Sequence, residues 1–435
     1  MAVLPARRIT SAHHVPAVSN SQRNTLFRVV VLIGMVLAWA AVWHGVQELS
    51  GLFRAIGVDF ALYRAQTLAF LAGGGSALYD LRALSQQLQP LQVYTTNPTL
   101  PLEPGLASYP ALFIWLFIPF AKLSPLLGFA LWTLLNFGAA VYLGLRTAQF
   151  FSKSDRWWVT GLVLTCFPVF FALLTGQPVI VLGCAIAEAM ISFSAGRPLR
   201  AGLWVAVLAL KPEYIVLVGL LLLWKRQWRA VLGAAAGAAA IVAGSVLVAG
   251  PAAVLTYPAA LSDKMDFHGS GGPVFPSSMI NWRGLILRLA PAIENHTGLL
   301  LTVVLGLVTV GLAAWALRGP WAATRRGLAS TWVIVIVATL LAGYHSHGHG
   351  AVLLIPPMAA FAAEGSARRL GSLAVKVLIA LPTVICAAYY SSELAAWPLT
   401  IGMILLFVAA WGECEEVQAE ARLRTAALRF IPRVS

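Results

Sequence analysis

The sequence predicts an all-α, polytopic membrane protein. The chain has 435 residues, of which 59% are hydrophobic and only 11% charged, against about 25% charged in ordinary soluble domains. Apolar runs of near-membrane length recur from end to end, and a spanning helix needs about 20 mostly apolar residues. Lysines and arginines collect between those runs, where they set membrane orientation. That placement explains the net charge of +14 and argues against a nucleic-acid partner. Four scattered cysteines form neither a disulfide framework nor a zinc spacing.

Residues 1–25 read as a polar cytoplasmic tail carrying Arg7, Arg8 and Arg23. The apolar run that follows is too long for a cleaved signal and reads as an anchor. Residues 26–411 form a single membrane domain. Its candidate spans are 26–47, 126–145, 157–174, 178–195, 230–249, 298–317, 329–343, 350–363, 373–390 and 397–411. With short and broken pieces included, about 11–13 helical membrane segments are expected. Residues 412–435 mix Glu and Arg with Leu423, Ala426, Ala427 and Phe430, and read as an amphipathic helix on the inner surface. The Gly/Ala run 233–240 reads as close helix packing.

Two segments are irregular. Residues 110–121 are half a span, and 200–223 are cut in two by Lys211-Pro212. The positive-inside rule resolves both. With a cytoplasmic N-terminus, and with 110–145 making one net crossing, Arg146, Lys153, Arg156, Arg197 and Arg200 all fall inside. Lys225, Arg226 and Arg229 must then also be inside, so 200–223 enters and returns as a broken hairpin with Lys211 near its tip. Arg318, Arg325, Arg326, Arg368, Arg369 and the Arg-rich tail follow. Irregular backbone at membrane depth is tolerated only inside protein or lining a cavity, and a lysine there is costly. This topology gathers four polar segments on the outer face: loop 48–109, Gln177, loop 250–296, and the run His345, His347, His349.

In the first outer loop, 58–72 reads as a helix along the membrane interface, ended by Gly73-Gly74-Gly75. Asp59, Tyr63 and Gln66 share one face of it. Asp59 can be a helix cap or a functional acid; it is one of few acids on this face, with Glu48, Asp80, Glu103, Asp263, Asp266, Glu294 and Glu393. Asp80 reads as the cap of a second short helix.

The ordered set Asp59-Phe60 with Tyr63 and Ala65, Gly73 to Tyr79-Asp80, Tyr109-Pro110, Gly176-Gln177, Lys211-Pro212 after Arg197 and Gly202, and the His-rich loop before Leu353-Leu354-Ile355-Pro356 resembles glycosyltransferase family 87 of the GT-C superfamily, over roughly 26–411. The resemblance implies a GT-C fold and transfer of a sugar, often mannose, from a polyprenyl-phosphate donor to a lipid or glycan acceptor. It implies a site on the outer (periplasmic) face of an inner (plasma) membrane. It assigns the general base to Asp59 and the second catalytic position to His349, with His345 and His347 beside it. This loop is richer in His and Gly than the family pattern and lacks an adjacent acid.

The residues suit that chemistry independently. A lipid-phosphate sugar needs a groove for the prenyl tail, donors for the leaving phosphate and a base for the acceptor hydroxyl. The broken hairpin can open the groove. Lys211, Arg283 with Asn281 beside it, and the three histidines can bind phosphate. Tyr63, Arg64 and Gln177 are candidate substrate contacts. No Asp-x-Asp occurs in the outer loops, so no metal or other cofactor is expected. A lone carboxylate suits single-displacement inversion, by analogy with glycoside hydrolysis.

Alternatives remain beside each reading. The alternate histidines could hold zinc. Lys211 could snorkel at a boundary, with Glu213 simply pairing with it, and Gln177 could cap a helix. Glu188 reads as a structurally paired acid toward the inner end. A lipid-linked sugar transporter or flippase also uses broken helices and an intramembrane lysine, and a non-catalytic assembly partner would carry an inert Asp59. The long outer loop with its acid-bearing helix favours an enzyme.

Overall fold

The computed structural model describes residues 20–48, 56–88, 109–262, 268, 276–321, 324–364, 369–389 and 392–429. Glu103, Asp263, Asp266, Arg368 and the extreme tail lie outside them. Helices are the only regular secondary structure among the described residues, apart from a single isolated bridge, Met279 to His347. The helices are α1 (Asn20–Glu48), α2 (Val58–Gly73), α3 (Leu81–Leu88), α4 (Ala111–Leu116), α5 (Ile118–Ala121), α6 (Pro125–Thr147), α7 (Arg156–Thr165), α8 (Phe167–Thr175), α9 (Val179–Ser194), α10 (Pro198–Ala206), α11 (Ile215–Trp224), α12 (Trp228–Ser262), α13 (Trp282–Leu289), α14 (Asn295–Ala316), α15 (Arg325–Ala342), α16 (Ile355–Ala363), α17 (Arg369–Tyr389) and α18 (Ser392–Arg429). Six of these are long and apolar enough to cross a bilayer, and a bent pair through α7 and α8 makes a seventh. The pair bends by 46° at Cys166, just before Pro168 opens the second piece. The chain is an all-α polytopic membrane protein, as its composition predicts.

Helix α15 is the axis of the bundle. Val333, Ile334, Ile336, Val337 and Leu340 are all fully buried in it, while α12 and α14 present bare Leu and Val outward. A helix apolar all round is buried by protein or by lipid, and both cases occur side by side here.

Both irregular segments appear where charge put them. Helices α4 and α5 together rise about 16 Å, half of the roughly 30 Å hydrocarbon layer. At Lys211 the backbone is extended (φ −134°, ψ 87°) because the residue before a proline is driven out of the helical region. Pro212 then starts the return leg, a favoured first helical position. The legs do form a hairpin. Gly202 packs on Ala230 and Gly237 on Ala206, so α12 starts again at the level where α10 started. The intervening α11 must therefore have come back.

Charged side chains mark one end of the bundle. There Glu188 is ion-paired with Arg146 and lies 3.5 Å from Arg200, and accepts from the Tyr142 hydroxyl at 2.7 Å. Lys225 donates to the carbonyls of Leu317 and Gly319. Arg326 pairs with Glu413, Glu416 and Glu420. The other ends of α6, α9 and α15 carry Gly128, Gln177 and His345 respectively.

The expected helix over 58–72 is α2, and its apolar face is covered by protein: Phe60, Ala61, Leu62, Ala65 and Ala69 are buried under neighbouring elements, as are Tyr63 and Gln66. The expected polar stripe is thus interior, and Gln66 donates to the Leu78 carbonyl at 3.0 Å. The tail after residue 411 is helical, as expected. It continues α18 to Arg429, because Arg326 and Arg318 supply counter-charges for its glutamates.

Candidate active site

The end of the bundle opposite those ion pairs collects the polar residues. Helix α2 is docked there by its start: the Gly57 amide donates to the Leu174 carbonyl at 2.8 Å, at the end of α8. Gly176, which ends α8, has φ +81°, and a Cβ on it would sit 2.8 Å from that of Phe60. Only glycine permits both the left-handed backbone and this approach. The indole of Trp132 donates to the Gly176 carbonyl at 2.7 Å. Asp59, half-buried in the first turn of α2, therefore sits beside the Gly176-Gln177 turn. Gly57 rather than Asp59 occupies the cap position, so capping does not account for the acid.

Tyr109 links the elements. Its hydroxyl donates to Gln177 Oε1 at 3.0 Å, its ring meets Tyr63 edge-on at 5.3 Å, and its carbonyl accepts from the Tyr79 hydroxyl at 3.0 Å. Gln177 is held by this bond and does not cap α9, whose cap position is Pro178. Burial, with Tyr109 and the Asp59 carboxylate nearby, keeps the Tyr63 phenol well above its usual pKa and neutral. Lys211 is buried at the hairpin tip, 3.7 Å from Glu213 and 5.1 Å from the centre of the Tyr214 ring. Its charge interacts with those of Asp59 and His349.

The histidine run forms a column rather than a claw. His345 meets His347 edge-on at 4.8 Å; His347 stacks on His349 at 5.7 Å, and His349 on Phe171 at 5.9 Å. Among the described residues no set of three His, Cys, Asp or Glu side chains converges in a way that would hold a metal ion. His345 and His347 are half-buried, while His349 is buried and neither of its ring nitrogens has a hydrogen-bond partner among the described residues. The loop can press inward because Gly350 has no side chain: a Cβ there would lie 2.9 Å from the Tyr214 hydroxyl.

The segment before α13 holds this loop from above. The Ile280 amide donates to the Ser346 carbonyl at 2.8 Å, and the Ser278 hydroxyl lies 3.2 Å from His347 Nδ1. Asn281 donates to the Gly343 carbonyl at 2.7 Å and caps α13 by accepting from the Gly284 amide at 2.9 Å. Arg283 is fully buried with its guanidinium 4.5 Å from the Tyr344 ring centre.

Among the residues singled out from sequence, then, Asp59, Tyr63, Gln177, Lys211 and His349 converge, with His345 and His347 continuing outward. Asn281 braces the loop, its side chain taken up by two backbone bonds. Arg64 turns away by about 140° from Asp59 on the helix, toward the Leu123 carbonyl at 3.4 Å. Tyr109, Tyr214 and Ser278 escaped the sequence reading as side chains of the site; the signal for Tyr214 was its place one turn past Lys211.

The model of glycosyltransferase family 87 matches residues 108–343, more than half of the chain. The chain belongs to glycosyltransferase family 87. Neither the curated proteins nor the solved structures compared with it gave a match. The matched stretch of this glycosyltransferase spans Tyr109, Gln177, Lys211, Asn281 and Arg283 but stops short of Asp59 and of the histidines. What joins those residues to the family region is the docking of α2 onto Gly176 and of the histidine loop onto Ile280 and Asn281.

Proposed function

We propose that this glycosyltransferase moves a hexosyl group, mannosyl by its resemblance to the family, from a polyprenyl-phosphate sugar to a lipid or glycan acceptor. In this reading the reaction occurs on the outer face of an inner (plasma) membrane, with both termini cytoplasmic and membrane lipid around the bundle. The observation that carries it is the convergence of a carboxylate, a buried ammonium and a buried imidazole beside a break in the membrane hairpin.

The chemistry divides among these groups. Asp59 accepts the proton of the acceptor hydroxyl as its oxygen attacks the anomeric carbon. The bond from that carbon to the phosphate oxygen breaks, and its electron pair stays on the prenyl phosphate. Lys211 and His349 face that oxygen, where charge grows in the transition state, so they stabilise it more than the bound donor. His347 and His345, with Arg283 behind them, hold the rest of the phosphate. With Asp59 as base and the acceptor oxygen attacking directly, without a glycosyl-enzyme intermediate, the reaction gives inversion. The outer loops carry no Asp-x-Asp pair, so these cations and imidazoles, rather than a metal ion, meet the phosphate charge.

The purified chain in nanodiscs, given radiolabelled polyprenyl-phosphate mannose and an alkyl mannoside, is expected to form the disaccharide. Asp59→Asn is expected to lower that rate by about 10² to 10⁴. Undiminished transfer by Asp59→Asn would reject the base assignment. Failure of the unaltered chain with every lipid-phosphate sugar would reject the donor class.

A further inference from the structure

A second group of side chains adjoins Lys211 that the proposed reaction leaves unused. The rings of Tyr79 and Tyr257 lie 5.4 Å apart, inclined at 40°, and both are half-exposed. Glu213 is 3.7 Å from the Lys211 ammonium, and its charge is felt at the Tyr257 phenol. Tyr79 is tied to the Tyr109 carbonyl at 3.0 Å, and Tyr109 is within electrostatic range of Asp59. The three residues come from separate parts of the chain: the first outer loop, the hairpin tip and the end of α12.

The chemistry of this group selects its ligand. A carboxylate repels a phosphate but accepts hydrogen bonds from hydroxyls, and such charge-assisted bonds are strong. Tyrosine rings offer flat apolar faces with a polar tip, matching a pyranose, whose faces are C–H and whose edge is hydroxyl. The backbone of α12 breaks at Gly250 (φ +81°). The piece before the break, 228–249, rises about 33 Å, enough for the hydrocarbon layer of roughly 30 Å. Tyr257 follows that break, where a polar glycan can stand.

We propose that Tyr79, Tyr257 and Glu213 form a subsite for a neutral hexose unit of the acceptor, which they hold against Tyr109 and Asp59. The inference rests on the glycosyl-transfer reading. The donor sugar is one bond from its phosphate and so is disfavoured beside Glu213. The acceptor sugar has no such charge at its reacting hydroxyl.

The test uses the full chain in nanodiscs with polyprenyl-phosphate mannose as donor and decyl α-mannoside as acceptor. Glu213→Gln is expected to raise the acceptor KM about tenfold, the worth of one hydrogen bond to a charged group, and Tyr257→Ala is expected to raise it by a similar factor through the lost ring face. The donor KM is expected to move by less than about twofold, since the lost contact is not made to the donor. Tyr257→Phe, which keeps the ring, should recover much of the loss. A donor KM that rises in step with the acceptor KM would mean that Glu213 only positions Lys211, and would overturn the subsite; so would an unchanged acceptor KM. If Tyr257→Ala fails to fold, the near-isosteric Glu213→Gln decides. If the unaltered chain turns over no donor, direct titration of decyl α-mannoside into it and into Glu213→Gln still decides the subsite separately from the donor: equal binding by both would end it.

Discussion

At the residue scale, Lys211 is the group on which the site turns. It is buried, with Glu213 at 3.7 Å and the Tyr214 ring at 5.1 Å, and a buried cation is kept only with partners. Lys211→Met removes the charge but keeps the length. It is expected to lower kcat/KM by about 10- to 100-fold, the range for a bond to a charged group, with Lys211→Arg intermediate because a planar fork cannot replace a compact ammonium. Steady-state kinetics on both variants checks this, and equal rates for Met and Lys would remove Lys211 from the chemistry. Substitution of Asn281 should act differently. Its side chain caps α13 and holds Gly343, so Asn281→Ala is expected to cost about 1 kcal/mol, read as a lower melting temperature, and to weaken activity through the loosened histidine loop.

The same residues show how far the sequence could be read. Lys211 stood out because a lysine inside an apolar stretch at membrane depth needs a reason, Asp59 as one of few acids on the outer face, and the histidine run as polar rings between two apolar segments. The roles of Asp59 and His349, and the interest of Gln177, came from the resemblance to the family. Asn281 was named only as the neighbour of Arg283, and the structure gives it a bracing role, since capping and binding look alike until the carbonyl partner is known. Tyr79 was visible only as part of the family pattern and Tyr257 not at all, because tyrosines at membrane interfaces are ordinary and nothing in the sequence says that two of them meet.

At the scale of elements, charge did what hydropathy could not. A run such as 200–223 has the length of a span, and only the arginines and lysines around it require a hairpin. That hairpin depends on Gly202, where a Cβ would lie 1.9 Å from the Ala230 carbonyl oxygen. Gly202→Val must push α10 off α12, and overpacking of this kind costs about 1–3 kcal/mol or more. The expected result is a less stable chain with weaker donor binding, seen in thermal unfolding and in donor KM; a fully stable, fully active Gly202→Val would mean the two helices do not cross there. The fate of α2 was not legible for a related reason. Its apolar face is plain in the sequence, but whether lipid or protein covers it depends on α4, α5 and α6, which are distant in the chain. The continuity of α18 likewise depends on Arg326, about ninety residues earlier.

At the scale of the whole molecule, the two ends of the bundle differ in kind. One carries the pairs of Glu188 and Arg326 and the Lys225 contacts to backbone carbonyls; the other carries Asp59, the hairpin tip and the histidines. The positive-inside rule assigns the first to the cytoplasm, and the proposed outer-face donor requires the second to be outside. All four native cysteines are buried, so introduced ones can be read against a quiet background. Ser76 is exposed in the turn after α2, and Ala195 is exposed in the turn between α9 and α10. In intact cells an impermeant maleimide is expected to label Ser76→Cys and to leave Ala195→Cys untouched until the membrane is opened. The reverse pattern would turn the bundle over. It would place the carboxylate, the lysine and the imidazoles on the cytoplasmic side and require a donor presented there.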